Sequence, residues 1–270
     1  MSSVRFKSFS SGSCGNCYFI GLFGESPRRC EAGVLIDAGV SPRRLKKELQ
    51  YEGLCFDDFG AVLVTHDHMD HIRSLGSFCK HIGKPVWTSE RLYRALCFNP
   101  LTRDWIRDFR KPMVPGTWNE IVPGRIRARC FPVPHDATET LGYAILLDNF
   151  KFVIMTDIGR MTEEALGLAR QADVVVVESN YDPEMLRLGP YPPELQARIR
   201  GGHGHLSNQE CAQAIREFNH EGLRHIFLCH LSEHNNTPEL AYSESAKAAA
   251  GVPLAPLPRQ TASPMFLFDE

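Results

Sequence analysis

Thr65-His66-Asp67-His68-Met69-Asp70-His71 is the stretch from which this chain is read. Three imidazoles and two carboxylates fall within six residues, too many titratable groups for a packed position to hold without a compensating cation. The preceding Gly60-Ala61-Val62-Leu63-Val64-Thr65 is apolar and β-branched, which predicts a buried strand delivering His66 at its C-terminal end. Alternation along an extended chain puts His66 and His68 on one side and Asp67 on the other. From Met69 onward, Ile72, Leu75, Phe78, Cys79 and Ile82 recur at helical spacing, so Asp70 and His71 open a helix whose positive end faces the same spot. Two adjacent ligand pairs, His66 with His68 and Asp70 with His71, predict two metal ions rather than one crowded ion.

Moving outward, apolar runs end in polar groups again and again. Gly33-Val34-Leu35-Ile36 is followed by Asp37, Phe152-Val153-Ile154-Met155 by Asp157, and Val174-Val175-Val176-Val177 by Glu178, Ser179 and Asn180. Locally, Asp37 and Asp157 read equally well as turn residues. His135 closes the run Ala128 to Pro134 and is the choice to complete a three-histidine set with His66 and His68. His230 ends Ile226-Phe227-Leu228-Cys229 and would join Asp70 and His71, with His234 as its competitor four residues further on. This layout is that of an active site grouped along one edge of packed sheets.

Gly201-Gly202-His203-Gly204-His205-Leu206 precedes Ser207-Asn208-Gln209-Glu210, a capping box that starts a helix directly after His205. Exposed backbone N–H groups beside His205, Ser207, Arg198 and Arg200 predict a pocket for a substrate phosphate.

A chain of 270 residues with 43% hydrophobic and 23% charged residues is ordinary for a globular protein, and its length allows one large domain or two small ones. No apolar run approaches the roughly 18 residues of a membrane helix, and the first residues lack a stretch of signal-peptide type, so a cytoplasmic protein without a membrane partner is expected. Nine cysteines, mostly in apolar segments, suit reduced core thiols, and Cys14-Gly15-Asn16-Cys17 lacks the second pair a zinc site needs. A net charge of −2 neither demands nor excludes nucleic acid. The basic run Arg43, Arg44, Lys46 and Lys47 reads as a solvated helix face, with nucleic-acid contact as the lesser alternative. Asn99 to Pro123, rich in proline, reads as irregular, with Trp105 and Trp118 either packing at the domain edge or lining a groove. Residues 1–250 are taken as one domain, and 251–270, with four prolines, as a poorly ordered tail that packs at its end through Met265, Phe266 and Leu267.

The central motif resembles the signature of the metallo-β-lactamase fold superfamily. That resemblance implies an α/β fold, an αββα sandwich of two mixed sheets flanked by helices, with a dinuclear metal site. It further implies that Asp157 bridges both metals, that Asp37 orients the site, and that His135 is the third histidine. Ser10-Ser11-Gly12-Ser13-Cys14-Gly15-Asn16-Cys17, Glu178-Ser179-Asn180, Gly204-His205-Leu206-Ser207-Asn208 and His230-Leu231-Ser232 together resemble the YycJ (WalJ) family within that superfamily. The resemblance implies a 5′→3′ exonuclease acting on DNA with two divalent ions, zinc or manganese, iron also being accommodated. A metal-bridging hydroxide would attack phosphorus, with Asp70 and His205 as the catalytic residues. The alternative is a small-molecule ester, thioester or lactone hydrolase. Nucleic acid is the expected partner, and no obligate protein partner is evident.

Overall fold

The computed structural model describes residues 3–24 and 29–269. Among these, the strands form two seven-stranded mixed sheets. The first holds β1 (Ser3–Gly12), β2 (Gly15–Phe23), β3 (Cys30–Ile36), β4 (Ala61–Leu63), β5 (Val86–Ser89) and β6 (Arg110–Met113). The second holds β7 (Trp118–Val122), β8 (Ile126–Val133), β9 (Thr140–Leu147), β10 (Phe150–Met155), β11 (Val174–Glu178), β12 (His225–Cys229) and β13 (Leu254–Pro256). The last strand, β14 (Phe266–Asp269), returns to the first sheet and pairs antiparallel with β1. The sheet orders, β14-β1-β2-β3-β4-β5-β6 and β13-β12-β11-β10-β9-β8-β7, each combine a parallel and an antiparallel half.

Helices cover the outer faces because each sheet has apolar residues on both sides. The early helices α1 (Pro42–Tyr51), α2 (Met69–Ile72), α3 (Leu75–Ile82), α4 (Glu90–Phe98) and α5 (Ile106–Phe109) belong to the first sheet's half of the chain. Leu45 and Leu49 of α1, Phe78 of α3 and Leu92 of α4 join the main core. After β10 come α6 (Glu163–Ala169), α7 (Pro183–Leu188), α8 (Pro193–Arg200), α9 (Asn208–Phe218) and α10 (Pro238–Ala249). Ala165 of α6, Ile215 of α9 and Ala241 of α10 pack on the second sheet around Val175 and Val177. No described helix is long and apolar enough to cross a membrane.

Aromatic rings join the two sheets. Phe6 of β1 lies 4.7 Å from Phe227 and 5.1 Å from Phe152, and all three are fully buried. Phe227→Ala leaves a cavity between sheets that cannot close around a rigid pleat, so we expect a loss of about 3–5 kcal/mol in chemical unfolding. The neighbouring His225 ring stacks on Phe227 at 4.2 Å and meets Phe266 and Phe268 of β14. Its Nε2 is buried without a hydrogen-bond partner among the described residues. Burial there pushes the imidazole down to about 4. An unfolded histidine binds its proton near pH 6.5, so the folded state loses ground as pH falls from about 6.5 to about 4 and no further below. His225→Phe should remove that component: with chelator present throughout, the variant's stability advantage over wild type should grow across this window. A constant difference from pH 7 to 4 would refute it.

Two expectations are corrected. The segment Asn99 to Pro123 is not irregular but supplies α5, β6 and β7, the last two being edge strands, where Pro112 costs no central ladder bond. Neither Trp105 nor Trp118 lines the cleft described below. The chain past Gly251 is likewise no loose tail, since β13 and β14 close one edge of each sheet. Between them, Ser11 N donates to Pro258 O and Arg259 Nη1 donates to Ser232 O at 2.6 Å, so this segment straps the β1–β2 hairpin to the loop after β12. Prolines suit such edge and crossing positions because no N–H is asked of them.

Candidate metal centre

The C-terminal ends of β3, β4, β8, β10, β11 and β12 lie together and carry Asp37, His66, His135, Asp157, Glu178 and His230. Asp37, Asp157 and His230 have φ of 62°, 50° and 54°, the left-handed region that costs a non-glycine residue energy. Such strain persists at strand ends only where surrounding contacts over-determine it, and it turns these side chains inward. Gly39 permits the closest approach: a Cβ there would lie 1.8 Å from the Asp70 carbonyl oxygen, so the β3–α1 loop can press on α2 only as glycine. The motif helix is short, because Met69–Ile72 ends before α3 begins at Leu75.

The imidazoles are oriented from behind. His71 Nδ1 donates to Asp37 Oδ2 at 2.6 Å, and Asp37 also accepts from Thr65 N and Thr65 Oγ1 at 2.8 Å. Thr65 Oγ1, its own proton given to Asp37, lies 3.0 Å from His66 Nδ1 and accepts from it. His135 Nδ1 donates to Gly204 O at 2.7 Å, and His230 Nδ1 to Glu178 Oε1 at 2.9 Å. Each of these four rings is therefore anchored through Nδ1–H and turns Nε2 into a common space, the arrangement that fixes metal-binding histidines. Asp67 points away and accepts from Thr138 N and Oγ1, as the alternation predicts.

The donor atoms form sets compact enough for a cation: His66, His68 and His135; Asp70, His71 and His230; and, between them, His66, His71 and Asp157. A fourth set joins Asp157, Glu178, His205 and His230. His66 Nε2 and Asp157 Oδ2 are buried with no hydrogen-bond partner among the described residues, orphaned acceptors that a divalent ion satisfies. Burial, with His71 beside it, holds His66 well below its usual range and so neutral, with its lone pair free. Burial would do the same to His71, but Asp157, Asp37 and Asp70 outweigh it and hold that ring up to about 10. The cluster thus has a strong appetite for positive charge, and an incoming cation competes with protons for it. The donor set of imidazoles and carboxylates fits divalent ions of the zinc, manganese and iron group.

A cleft of about 380 Å³ opens over this cluster, lined by His68, Asp70, Asp136, Asp157, Arg198, His205 and His230 among others. His205 Nδ1 lies 2.7 Å from Glu178 Oε1, the same oxygen that holds His230. Glu178 Oε2 accepts from Ile158 N and Leu206 N, so this carboxylate is fixed at four points. Burial lowers the His205 pKa, but Glu178 and Asp157 more than offset it and the ring is held above its usual value.

All seven residues expected as ligands converge here, and Asp37 stands behind them. Of the four residues expected at a phosphate, His205 and Arg198 line the cleft, the latter paired with Asp136. Ser207 and Arg200 do not. Ser207 Oγ is engaged within the α9 capping box, accepting from Glu210 N and donating to Glu210 Oε2, so the helix end is already satisfied by a carboxylate. Arg200 is exposed and turns back onto Gln196 O. His234, the competitor of His230, is exposed at the cleft mouth and belongs to none of the donor sets.

Three residues escaped assignment. Glu178 carried the same signal as Asp37 and Asp157, a carboxylate closing an apolar strand. Asn180, whose Nδ2 donates to His230 O at 2.7 Å, follows it. Asn16 Nδ2 donates to Asp70 Oδ2 at 3.0 Å from the start of β2, and its role has no local signature. Cys14 and Cys17 on either side of it are free, one exposed and one buried.

Residues 33–230 match the family model described as β-lactamase superfamily domain. The chain is 33% identical over 238 residues to exodeoxyribonuclease YycJ of Bacillus anthracis, covering 88% of this chain and 86% of that protein. It is 31% identical to exodeoxyribonuclease WalJ of Streptococcus pneumoniae over 258 residues, 93% of each. Among solved structures, the metallo-β-lactamase fold protein YhfI from Bacillus subtilis superposes with a TM-score of 0.69 at 15% identity, covering 97% of this chain and 99% of that one. The chain belongs to the β-lactamase superfamily and, within it, to the family of YycJ and WalJ.

Proposed function

We propose that the protein is a dinuclear-metal-dependent phosphodiesterase that degrades DNA from its 5′ end. The observation that carries this is the ring of Nδ1-anchored imidazoles with Asp70 and Asp157 opening into a cleft that also holds the His205–Glu178 pair. The names of the relatives support DNA as the substrate. His66, His68 and His135 would hold one ion, Asp70, His71 and His230 a second, and Asp157 one oxygen to each. Zinc or manganese is the proposed pair, with iron also fitting the donors. When bound, divalent ions supply charge neutralisation at phosphorus and water acidic enough to react near neutral pH.

The chain's own residues do the rest. Asp37, Thr65, Gly204 O and Glu178 hold four rings in place, so no reorganisation is needed when substrate arrives. His205, held as the imidazolium with its Nδ1–H on Glu178, presents Nε2–H to the cleft and gives that proton to the leaving oxygen. Arg198 on the wall offers charge to the phosphate backbone, a contribution that weakens as salt rises. Nine free cysteines support a reducing compartment, and we place the protein in the cytoplasm.

The test is direct. The protein, loaded with manganese or zinc, is given 5′-labelled and 3′-labelled single- and double-stranded DNA, and separately a lactone and a thioester. Stepwise shortening from the 5′ end is the expected result. Intact DNA in the presence of protein carrying two metal equivalents, with turnover of the lactone or thioester, would overturn the reading.

A further inference from the structure

The cleft has a wall that phosphate chemistry does not use. Tyr191, between α7 and α8, lines it together with Leu195 of α8 and His234 of the loop after β12. Tyr191 and Leu195 pack on a small buried cluster of Tyr181, Leu186 and Ile199, which makes the wall rigid. Gln196 Nε2 donates to Tyr191 O at 2.9 Å and fixes the backbone. The His234 ring meets the Tyr191 ring edge-on, with centroids 6.0 Å apart and planes at 75°. The loop that carries His234 is itself strapped by Arg259 through Ser232 O and Asn236 O.

From these contacts we infer that Tyr191, buttressed by His234, is the stacking platform for the base of the nucleotide being removed. The inference rests on the phosphodiesterase reading and names what that site recognises. A phosphodiester held over Asp70, Asp157 and His230 carries its base one sugar away, within the same continuous cleft. The cleft volume of about 380 Å³ falls in the range of roughly 300–1,000 Å³ typical of small-ligand sites. An aromatic face recognises any base by its π-surface, so the site takes a terminal nucleotide without sequence preference. It can do so only once that base has left its pair, so the true substrate is a single-stranded or frayed end.

The experiment compares wild type, Tyr191→Ala, Tyr191→Phe and His234→Ala on single-stranded DNA whose 5′-terminal nucleotide is either normal or abasic. Tyr191→Ala should raise KM for the normal end about 5- to 100-fold with kcat little changed, the cost of one lost stacking contact. Tyr191→Phe, which keeps the ring, should stay within about twofold of wild type, and His234→Ala should fall between them. Wild type should lose a similar factor on the abasic end, and Tyr191→Ala should lose nothing further there. That last result also shows the variant is folded. Equal effects of Tyr191→Ala on normal and abasic ends, or none on either, would overturn the platform while leaving the nuclease intact. Failure of wild type to cut either DNA would overturn the nuclease reading and this one with it.

Discussion

Asp157→Ala should end DNA cleavage and leave the protein unable to retain two metal ions. Asp157 is nearly inaccessible, and its two oxygens face different partners: Oδ2 lies 3.1 Å from His71 Nε2, and Oδ1 3.3 Å from His230 Nδ1. Burial pushes its carboxyl up, yet His230 and His71 hold it well below the usual carboxylate range, so it is charged at every working pH. Without it, the buried imidazoles face one another with no shared anion, and Asp70 is the one carboxylate left among the seven converging residues, Asp37 and Glu178 acting only through the rings they hold. Removing a residue that only orients a ligand costs roughly 10–100-fold in metal affinity or activity. Removing the shared carboxylate should cost more, at least about 1,000-fold in rate. Elemental analysis after dialysis reads the metal content, and thermal unfolding supplies a second measure that does not depend on catalysis. A ligand at a hundred times its Kd stabilises the fold by about 2.7 kcal/mol, so chelation should lower the wild-type midpoint and leave that of Asp157→Ala nearly still. A variant that keeps both ions and cuts DNA within tenfold of wild type would remove Asp157 from the centre.

The convergence of the seven expected ligands was legible because their signal is local. His66, His68, Asp70 and His71 sit within one turn of chain between a buried strand and a helix, and His135, Asp157 and His230 each close an apolar run. Such a run means a strand, and parallel strands put their C-terminal ends together, so sequence position translates directly into place. What stayed illegible depends on partners distant along the chain. Asn16 reaches Asp70 across 54 residues from the tip of the β1–β2 hairpin, whose Gly/Ser-rich sequence looks like any loop. Ser207 was misread because a capping box is both a helix start and its own anion: Glu210 Oε2 takes Ser207 N, Ser207 Oγ takes Glu210 N and Tyr181 O takes Asn208 N, the N–H groups that a phosphate would need. The strands β6, β7, β13 and β14 were missed for a physical reason too. Edge strands are short and interrupted by proline or charge, and those traits also mark loops. The tail's role emerges only in three dimensions, where Arg259 ties the loop of Ser232 and His234 to the body of the protein.

Glu178→Gln should cost the protein both rate and metal, whereas His205→Ala should cost rate alone. The carboxylate is fully buried, and its pKa is kept low because His205 and His230 outweigh the effect of burial. One oxygen takes the N–H of two imidazoles, and the other takes two backbone N–H groups. A glutamine of the same size has a single acceptor oxygen, so its NH₂ must face either two ring N–H groups or two backbone N–H groups. If it faces the rings, both lose their Nδ1–H acceptor, and His230 is pushed toward the wrong tautomer, with the proton on Nε2. His230 then turns a donor toward the metal position, which should weaken binding roughly 10–100-fold. His205 loses the charge that keeps it protonated, and general-acid assistance of this kind is worth about 100- to 10,000-fold. His205→Ala removes the acid but leaves Glu178 to hold His230, so its metal content should match wild type while kcat falls by that factor. Because Glu178 acts on the leaving oxygen only through His205, the double variant, assayed at saturating metal, should be little slower than His205→Ala. If the two losses multiply under saturating metal, Glu178 acts on the reaction by a route other than His205, and the pair is not the unit proposed.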